Sequence, residues 1–437
     1  MAHSSSVTAR PELGYNVIGY VTANLGLGVA ARNTVSRLLE RGADVRVIDI
    51  DPGHGRQGAE QTYASLTAVK PLPSPAVNVF HFNPPEVVAA WPHWRDEVDI
   101  TSGLNACVPF WELPLFPPEW IAELAAMDVV LAPSLFILEA CRACLPDTPA
   151  IHYPQTASLP EGVEPDRARW NIPADVTAFF TAFDINSDIE RKNPWGAIEA
   201  FAQAFPGDEP VRLVVRLNAQ SVSGRTNEQV EKLRARVGQD PRIVLLDEPL
   251  SYREVMTLYA SCDVLVSLHR SEGLGLPLIE AMSLAKPVIA TAWSGNMDFM
   301  DEDSACLVPY ELVPVRSSLP LYAEAVVGPG QVWAEPGAGA AAEWMRRLAA
   351  DPALRAAKGA AAREGIERHQ RFAREHDPFA LNESAWKREL GPAHAQRPQL
   401  ARLQALLREE SRKRAVWRVK RGVVLGLRRM GLYPPGD

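Results

Sequence analysis

Residues 264–282, VLVSLHRSEGLGLPLIEAM, carry the most specific structural signal in the chain. The apolar run Val264–Leu268 predicts a buried strand, and the glycine-rich segment after it predicts a loop. Pro277 predicts the first turn of a helix extending to about residue 284, because proline is favoured at that position. A continuous apolar strand followed by a helix is typical of a parallel sheet covered on both faces. The stretch therefore predicts an α/β domain.

The loop and the start of the helix carry two glutamates. Glu272 follows the strand and Glu280 lies about one turn into the helix, so both carboxylates should lie at the carboxyl edge of the sheet, where open α/β folds bind ligands. Carboxylates accept hydrogen bonds from vicinal hydroxyls, which suits a ribose at one end and a hexose at the other. Gly273 and Gly275 allow backbone amides to approach a phosphate near a helix N-terminus.

The same alternation of strands and helices extends along most of the chain. It runs from about residue 15 to 153 and again from 176 to 290, and four prolines lie in the polar segment 154–173 between the two blocks. We therefore expect two Rossmann-like parallel-sheet domains that face an interdomain cleft. The predicted boundaries are a first domain at 1–158, a linker at 159–175, a second domain at 176–370, a helical extension at 371–400 and a basic amphipathic tail at 401–437.

The composition excludes several classes of protein. The chain has 437 residues, of which 47% are hydrophobic and 22% charged, and these values are typical of a folded globular protein. A formal net charge of −8 argues against nucleic acid as a partner. Five cysteines are too few for a disulfide scaffold, and Cys141-x-x-Cys144 lacks the further ligands that zinc requires. We expect a cytoplasmic protein with no bound metal.

The C-terminal tail differs from the rest of the chain in charge. The last 37 residues contain ten Lys and Arg against three Asp and Glu. Basic and apolar residues interleave over residues 411–433, which is typical of a helix lying on an anionic membrane surface. A flexible tail and a helix docked on the acidic body are the alternatives. No apolar run approaches the roughly 18 residues of a membrane span.

A glycine turn follows the first predicted strand. Gly26-x-Gly28-x-x-Ala31, with Asp49 at the end of the second strand, has the spacing of a dinucleotide-binding fingerprint. However, the residues from Thr22 onward separate the strand from the first glycine, whereas the fingerprint places its glycine at the strand end. A turn that only packs helix on strand, a site for a sugar or phosphate, and a nicotinamide site remain alternatives.

A basic pair lies after the first strand of the second block. Arg191-Lys192 precedes the helix predicted to begin at Pro194, so the pair should face the same crevice as Glu272. A fixed positive charge where a phosphate leaves is a large catalytic contribution. We predict that the pair clamps a diphosphate, although a solvated surface loop is the alternative.

Four further residues are candidates for lining the cleft. Asn296, in the turn after a strand, is a candidate for donor binding through the backbone amides of that turn, and a helix N-cap turn is the alternative. Trp111 and Glu112 pair an aromatic ring with an acid, as sugar sites do, although packing is an alternative for Trp111. His81 ends a strand and is a candidate either for the acceptor side or for a buried position.

Residues 264–282, with Lys192 and the turn at Gly26–Gly28, resemble the group 1 (family 4) retaining glycosyltransferases of GT-B architecture. The resemblance implies that Lys192 contacts the donor diphosphate, with Arg191 or Arg216 supplying the second positive charge. It also implies that Glu280 binds the nucleotide ribose and that Glu272 binds hydroxyls of the transferred sugar. The loop Gly273-Leu274-Gly275-Leu276 would flank the phosphates. Asn186 stands where the family often has an arginine, and the segment 109–114 lacks the family's acceptor-side histidine.

The resemblance also implies the reaction. A hexose would pass from a nucleotide diphosphate sugar to a hydroxyl of a glycan or lipid-linked acceptor, with retention at the anomeric carbon and no metal or other cofactor. The basic tail suggests a surface polysaccharide or glycolipid acceptor, so we expect a role in polysaccharide biosynthesis, in the cytoplasm or at the inner face of the membrane. An NAD(P)-dependent oxidoreductase using Gly26, Gly28 and Asp49, and a sugar-binding protein without catalysis, are the alternatives.

Overall fold

The computed structural model describes residues 13–23, 25–51, 60–68, 76–218, 224–390 and 392–429. Two six-stranded sheets dominate it, with the strand orders β2-β1-β3-β4-β5-β6 and β12-β11-β10-β7-β8-β9. All pairings within the two sheets are parallel. The prediction of two α/β units with parallel sheets is therefore confirmed.

The strands of the first sheet are β1 Gly14–Gly19, β2 Asp44–Asp49, β3 Ala76–His81, β4 Leu104–Cys107, β5 Val129–Ala132 and β6 Ala150–His152. Those of the second are β7 Thr177–Asp184, β8 Val211–Asn218, β9 Ile243–Leu246, β10 Val264–Ser267, β11 Val288–Thr291 and β12 Cys306–Val308. Both faces of each sheet are buried against apolar side chains, in four hydrophobic clusters. This burial explains why the strands are continuous apolar runs rather than alternating ones.

The helices are α1 Gly26–Glu40, α2 Pro84–Ala89, α3 Trp91–Trp94, α4 Pro118–Leu124, α5 Leu135–Cys144, α6 Ile189–Lys192, α7 Pro194–Ala204, α8 Gly224–Val237, α9 Tyr252–Ser261, α10 Leu276–Ser283, α11 Glu324–Val327, α12 Ala338–Ala350, α13 Pro352–Glu375, α14 Pro378–Glu389 and α15 Pro398–Arg429. Several begin at predicted caps. The Asn193 side chain accepts a hydrogen bond from Gly196 N, and Ser251 with Glu254 forms a capping box at the start of α9.

The segment after the second sheet contains structure that the sequence did not indicate. Strands β13 Tyr310–Pro314 and β14 Val332–Pro336 pair as an antiparallel hairpin. Between them, Tyr322 and Val327 are buried in the core cluster of the first unit. This hairpin segment, residues 310–336, therefore extends from the second unit onto the first.

The C-terminal helices also return to the first unit. Phe379 of α14 packs edge-on against Tyr15 and Tyr153, with ring centroids 5.4 and 5.3 Å apart. Leu403 and Leu407 of α15 are buried in the first unit's core. Of the segment 411–433, the side chains of 416–429 and the whole of 430–433 lie outside the described residues, so the membrane prediction is not tested. No described helix combines the length and apolar character needed to cross a membrane.

Candidate active site

A cleft of about 560 Å³ lies between the two units. The ends of β7 and β8, the glycine loop after β10 and the start of α10 form one wall, and the turn before α1 and the segments after β3 and β4 form the other. The described residues that line it include Tyr20, Leu25, Gly26, Asn83, Glu86, Trp111, Glu112, Trp120, Arg191, Lys192, Arg216, Tyr252, Glu272, Gly273, Leu274, Gly275, Leu276, Glu280 and Tyr322. The volume falls within the range of small-molecule sites.

Two cations and a glutamate meet at the floor of this cleft. Arg191 and Lys192 form the end of the single-turn helix α6, and Lys192 Nζ lies 2.5 Å from Glu272 Oε1. Arg191 Nη1 lies 3.3 Å from Glu272 Oε2 and donates to the Ser271 carbonyl at 2.8 Å. The structure thus brings together residues 80 positions apart in sequence, as the shared sheet edge predicts.

These charges strongly perturb each other. Burial alone would raise the pKa of Glu272, but Lys192 and Arg191 lower it to about 2. Burial lowers the pKa of Lys192, an effect that Glu272 opposes and Arg191 reinforces. Burial would also lower the pKa of Arg191, yet Glu112, Tyr322 and Glu272 raise it above its usual value. Glu272 is therefore a carboxylate held between two cations, and those cations face the cleft.

Glu280 lies in a different environment. Only 6% of it is exposed, and burial raises its pKa to about 8, opposed by a hydrogen bond from Tyr252 and by the charge of Arg32. The Arg32 guanidinium donates to the carbonyls of Val21 and Ala23, at 2.8 and 3.0 Å. Arg32 therefore ties the glycine turn of the first unit to the Glu280 end of the cleft.

The glycine loop is shaped by close contact with its neighbours. A Cβ on Gly273 would lie 2.8 Å from the Trp111 carbonyl oxygen, and a Cβ on Gly295 would lie 2.2 Å from the Gly273 carbonyl oxygen. Gly275 has a φ of +94°, which glycine adopts without strain. Glu272 N donates to Ser294 Oγ at 2.8 Å. These glycines fix the backbone that presents Glu272.

Asn296 lies beneath this loop rather than in the cleft. It is fully buried, its Nδ2 donates to the Thr291 carbonyl at 3.0 Å, and its Oδ1 lies 3.0 Å from His269 Nε2. Its side chain is thus engaged within the second unit and unavailable to a donor. Asn296 is also absent from the described lining of the cleft, and the predicted contact of its backbone amide with a donor stays a prediction.

Direct hydrogen bonds join the units beside the loop. Ser134 Oγ donates to the Gly273 carbonyl at 2.6 Å. Asp298 accepts from Leu135 N, at the start of α5, at 2.8 Å, and from His152 Nε2 at 2.9 Å. The loop that carries Glu272 is therefore held by residues of the opposite unit.

The glycine turn of the first unit differs from a dinucleotide site. Gly26 lines the cleft, and a Cβ at that position would lie 4.0 Å from Leu276 Cδ1. A Cβ on Gly28, by contrast, would lie 2.4 Å from the Ala23 carbonyl oxygen, so that glycine packs the helix against its own turn and does not line the cleft. Asp49 accepts from Thr22 N at 2.9 Å and from Thr22 Oγ1 at 2.6 Å. The nicotinamide alternative is not favoured.

The acceptor-side candidates Glu112 and Trp111 both line the cleft, but they differ in their contacts. Glu112 faces the cleft, accepting from Tyr322 Oη at 2.8 Å and lying 3.4 Å from Arg191 Nη2. Trp111 is fully buried, with its indole donating to the Leu115 carbonyl at 2.8 Å, and it packs on the Trp120 and Tyr322 rings. It supports the wall from within.

His81 does not reach the cleft. It is fully buried, and burial lowers its pKa to about 3. A Cβ on Gly19 would lie 3.0 Å from the His81 Cβ, which shows how closely β1 and β3 pack there. Of the two positions that the sequence left open for His81, the acceptor side and the core, the structure shows the core.

Several cleft residues were missed in the sequence. Glu86 is the third residue of α2, whose N-cap is Asn83, and it accepts a hydrogen bond from Asn83 N at 3.0 Å in a capping box. The Asn-x-x-Glu spacing followed by a short apolar run was a signal that could have identified it. Tyr322 carried no such signal, because it lies in a Pro- and Gly-rich segment without periodicity.

Residues 179–311 match the family described as Glycosyl transferases group 1. Among solved structures, sucrose-phosphate synthase from Thermosynechococcus elongatus has a TM-score of 0.57 at 16% identity and covers 86% of this chain and 99% of its own. An α,α-trehalose-phosphate synthase from Burkholderia vietnamiensis has a TM-score of 0.57 at 10% identity, covering 85% of this chain and 99% of its own.

A structure from E. coli described as trehalose-6-phosphate bound with UDP-2-fluoro glucose has a TM-score of 0.55 at 12% identity and covers 85% and 99% of the two chains. No curated protein sequence matches significantly. The similar structures establish the architecture, two Rossmann-like units in the GT-B arrangement. The second half of this chain contains a group 1 glycosyltransferase domain.

Proposed function

We propose that the protein transfers a hexose from a nucleotide diphosphate sugar to a hydroxyl of a glycan or lipid-linked acceptor, with retention at the anomeric carbon. The observation that carries the proposal is the contact of Lys192 and Arg191 with Glu272 at the floor of the interdomain cleft. Two buried cations facing a cavity of this size suit an anionic group that arrives and leaves.

The donor would lie along the wall of the second unit. Its diphosphate would compete with Glu272 for Lys192 and Arg191, and the amides of the glycine loop would add hydrogen bonds. Glu280, beside Tyr252, would accept hydrogen bonds from the ribose hydroxyls. Release of Glu272 from Lys192 on phosphate binding would leave its carboxylate available to hydroxyls of the hexose.

The transfer step exchanges one bond for another at the anomeric carbon. The bond from that carbon to the phosphate oxygen breaks, and the acceptor oxygen forms its bond on the same face. The acceptor proton passes to the departing phosphate, so no enzyme nucleophile is required. Lys192 and Arg191 stabilise the negative charge that develops on the leaving group, which is the role that a metal ion plays elsewhere.

Three further parts of the proposal concern cofactors, cellular location and membrane contact. We propose that the chain needs no cofactor besides its co-substrate, that it works in the cytoplasm, and that residues 411–433 contact the inner face of an anionic membrane. The composition of the tail supports the last part, since ten basic residues lie within 401–437.

Thermal-shift measurements with GDP-, UDP-, ADP- and dTDP-sugars, followed by product detection and an NMR reading of the anomeric configuration, test the proposal. We expect one nucleotide class to stabilise the protein and a retained product to form. The variant Lys192→Ala should lose transfer, whereas Lys232→Ala, which removes an exposed lysine of α8, should not. Nucleotide binding without any turnover would instead indicate a sugar-binding protein. A change in the fluorescence of a reduced nicotinamide cofactor on mixing would indicate an oxidoreductase.

A further inference from the structure

The two walls of the cleft differ in charge. Among the described residues that line it, the cations are Arg191, Lys192 and Arg216, and all three belong to the second unit. The described lining from the first unit contains two carboxylates, Glu86 and Glu112, and neither lysine nor arginine. A ligand group that contacts this first-unit wall meets carboxylate and aromatic surface.

The carboxylates of this wall are held in place. Glu112 Oε2 accepts from Tyr322 Oη at 2.8 Å, and Oε1 lies 3.4 Å from Arg191 Nη2. Since Arg191 also lies 3.3 Å from Glu272, the first-unit wall adjoins the end of the cleft where the donor's phosphates would leave. The acceptor hydroxyl must approach from this side, because the donor occupies the other.

Glu86 extends the wall away from that end. Its carboxylate accepts from Asn83 N at 3.0 Å and from the Tyr20 hydroxyl. Burial raises the pKa of Glu86 above its usual value, and the bond from Tyr20 opposes this. A carboxyl group that accepts hydrogen bonds from the protein and also faces a cavity is suited to accept further hydrogen bonds from the hydroxyls of a sugar ring.

On the first-unit wall, the described lining of the cleft offers a second phosphate no cation. Lys192 and Arg191 are balanced by Glu272 and Glu112 before any ligand binds. The donor's diphosphate then adds negative charge at the same place. Arg216 donates to the carbonyls of Leu217 and Leu246 in the second unit. An acceptor that carried a phosphate would therefore place about two more negative charges beside Glu86 and Glu112.

We propose that the first-unit wall binds the acceptor as an uncharged, polyhydroxylated sugar ring through Glu86 and Glu112, and that it discriminates against phosphorylated sugars. This inference rests on the proposed function, since it takes the first-unit wall as the acceptor side. The acceptor would be an uncharged sugar, and Glu86 and Glu112 would determine this specificity.

The experiment compares matched acceptors with the full chain and the nucleotide sugar selected by the thermal-shift panel. The pairs are glucose, mannose, fructose and N-acetylglucosamine, each with its 6-phosphate, and the readouts are kcat/KM for product and saturation-transfer NMR for binding. We expect neutral members to be used at least about tenfold better than their phosphates. Equal or better use of any phosphate overturns the proposal. So does a panel in which no neutral sugar binds or reacts although the nucleotide sugar binds. Failure of every nucleotide sugar to bind would be a failure of the proposed function instead.

A variant at Glu86 distinguishes the effect of its charge from its role in the capping box of α2. Glu86→Gln keeps a side chain that serves the capping box at the start of α2, because glutamine is accepted at that position. We expect the ratio of neutral to phosphorylated kcat/KM to fall at least about threefold, as one negative charge is removed. Glu119→Gln, an exposed carboxylate on the neighbouring helix α4, is the matched control and should leave the ratio unchanged. An unchanged ratio in Glu86→Gln overturns the assignment.

Discussion

The two glutamates of the glycine-loop segment lie eight residues apart and yet in opposite surroundings. Glu272 lies between two cations that lower its pKa to about 2, whereas burial beside Tyr252 raises the pKa of Glu280 to about 8. At neutral pH one end of the cleft carries a fixed ionic cluster and the other carries a largely protonated acid. The same residue type is thus suited to compete with phosphate at one end and to bind hydroxyls at the other.

The largest expected effect comes from removing the ionic end. Glu272→Ala should lower the rate of transfer at least about 100-fold, because in the proposed function it removes the group that would position the hexose and that holds Lys192. Steady-state kinetics with the donor measures this loss. Binding of the nucleoside diphosphate alone should persist, since its anionic group takes the place of the lost carboxylate. A decrease in turnover of less than about threefold would contradict the contrast drawn between Glu272 and Glu280.

Next in size is a change to the backbone that supports Glu272. Gly295→Ala should destabilise the fold by about 2–4 kcal/mol, because the new methyl would lie 2.2 Å from the Gly273 carbonyl oxygen. Thermal unfolding measures it. Gly339→Ala is the matched control, as no atom lies within 4 Å of its Cβ position in α12. Equal unfolding temperatures for both variants would show that the loop accommodates the methyl.

The Glu280 end should show a pH dependence of its own. Its pKa rises from 4.5 in the unfolded chain to about 8 on folding, so the folded protein retains a proton that the unfolded chain has lost. Stability should therefore fall as pH rises from about 4.5 to 8, by roughly 2–4 kcal/mol for this group. Glu272, with its lowered pKa, contributes the opposite sign, and its stabilisation is lost as pH falls from about 4.5 to 2.

Urea unfolding at pH 5 and pH 8 measures the effect at Glu280. The variant Glu280→Gln keeps an uncharged side chain of similar shape, so its stability should change less than the wild type's between the two pH values. Glu302→Gln, which alters an exposed carboxylate, should behave like the wild type. If Glu280→Gln and the wild type have the same slope, Glu280 is ionised when folded.

The smallest expected effect concerns the helix that carries Tyr252. Ser251→Ala removes the capping hydrogen bond at the start of α9 and should cost about 1 kcal/mol. Because Tyr252 follows directly and bonds to Glu280, KM for the donor should rise while kcat changes little. Kinetics and unfolding curves together check this split, and a kcat effect larger than the KM effect would argue against it.

Much of the fold could be predicted because its signals lie in short stretches of sequence. Continuous apolar strands and caps such as Asn193 and the Ser251–Glu254 box carry their own signals. The hairpin segment 310–336 could not be predicted, since its Pro- and Gly-rich sequence has no period and Tyr322 is buried only by contact with the first unit.

The site was predicted in part for the same reason. The contact of Lys192 with Glu272 follows from the common sheet edge, and the structure shows it. Positions that depend on packing could not be decided from the sequence. His81 ends a strand and Asn296 follows one, yet both side chains are buried in the core. Gly28 matches the dinucleotide-binding fingerprint by its spacing. In the structure, however, it allows the start of α1 to pack closely against the preceding turn.

The hydrogen bond from Ser134 to the Gly273 carbonyl has a consequence for the order of events. A movement that separated the two units beside this loop would have to break it, along with the contacts of Asp298. In the proposed reaction, the loop that carries Glu272 would therefore have its full support only while the units are in contact. Water would have least access to the donor sugar in that state.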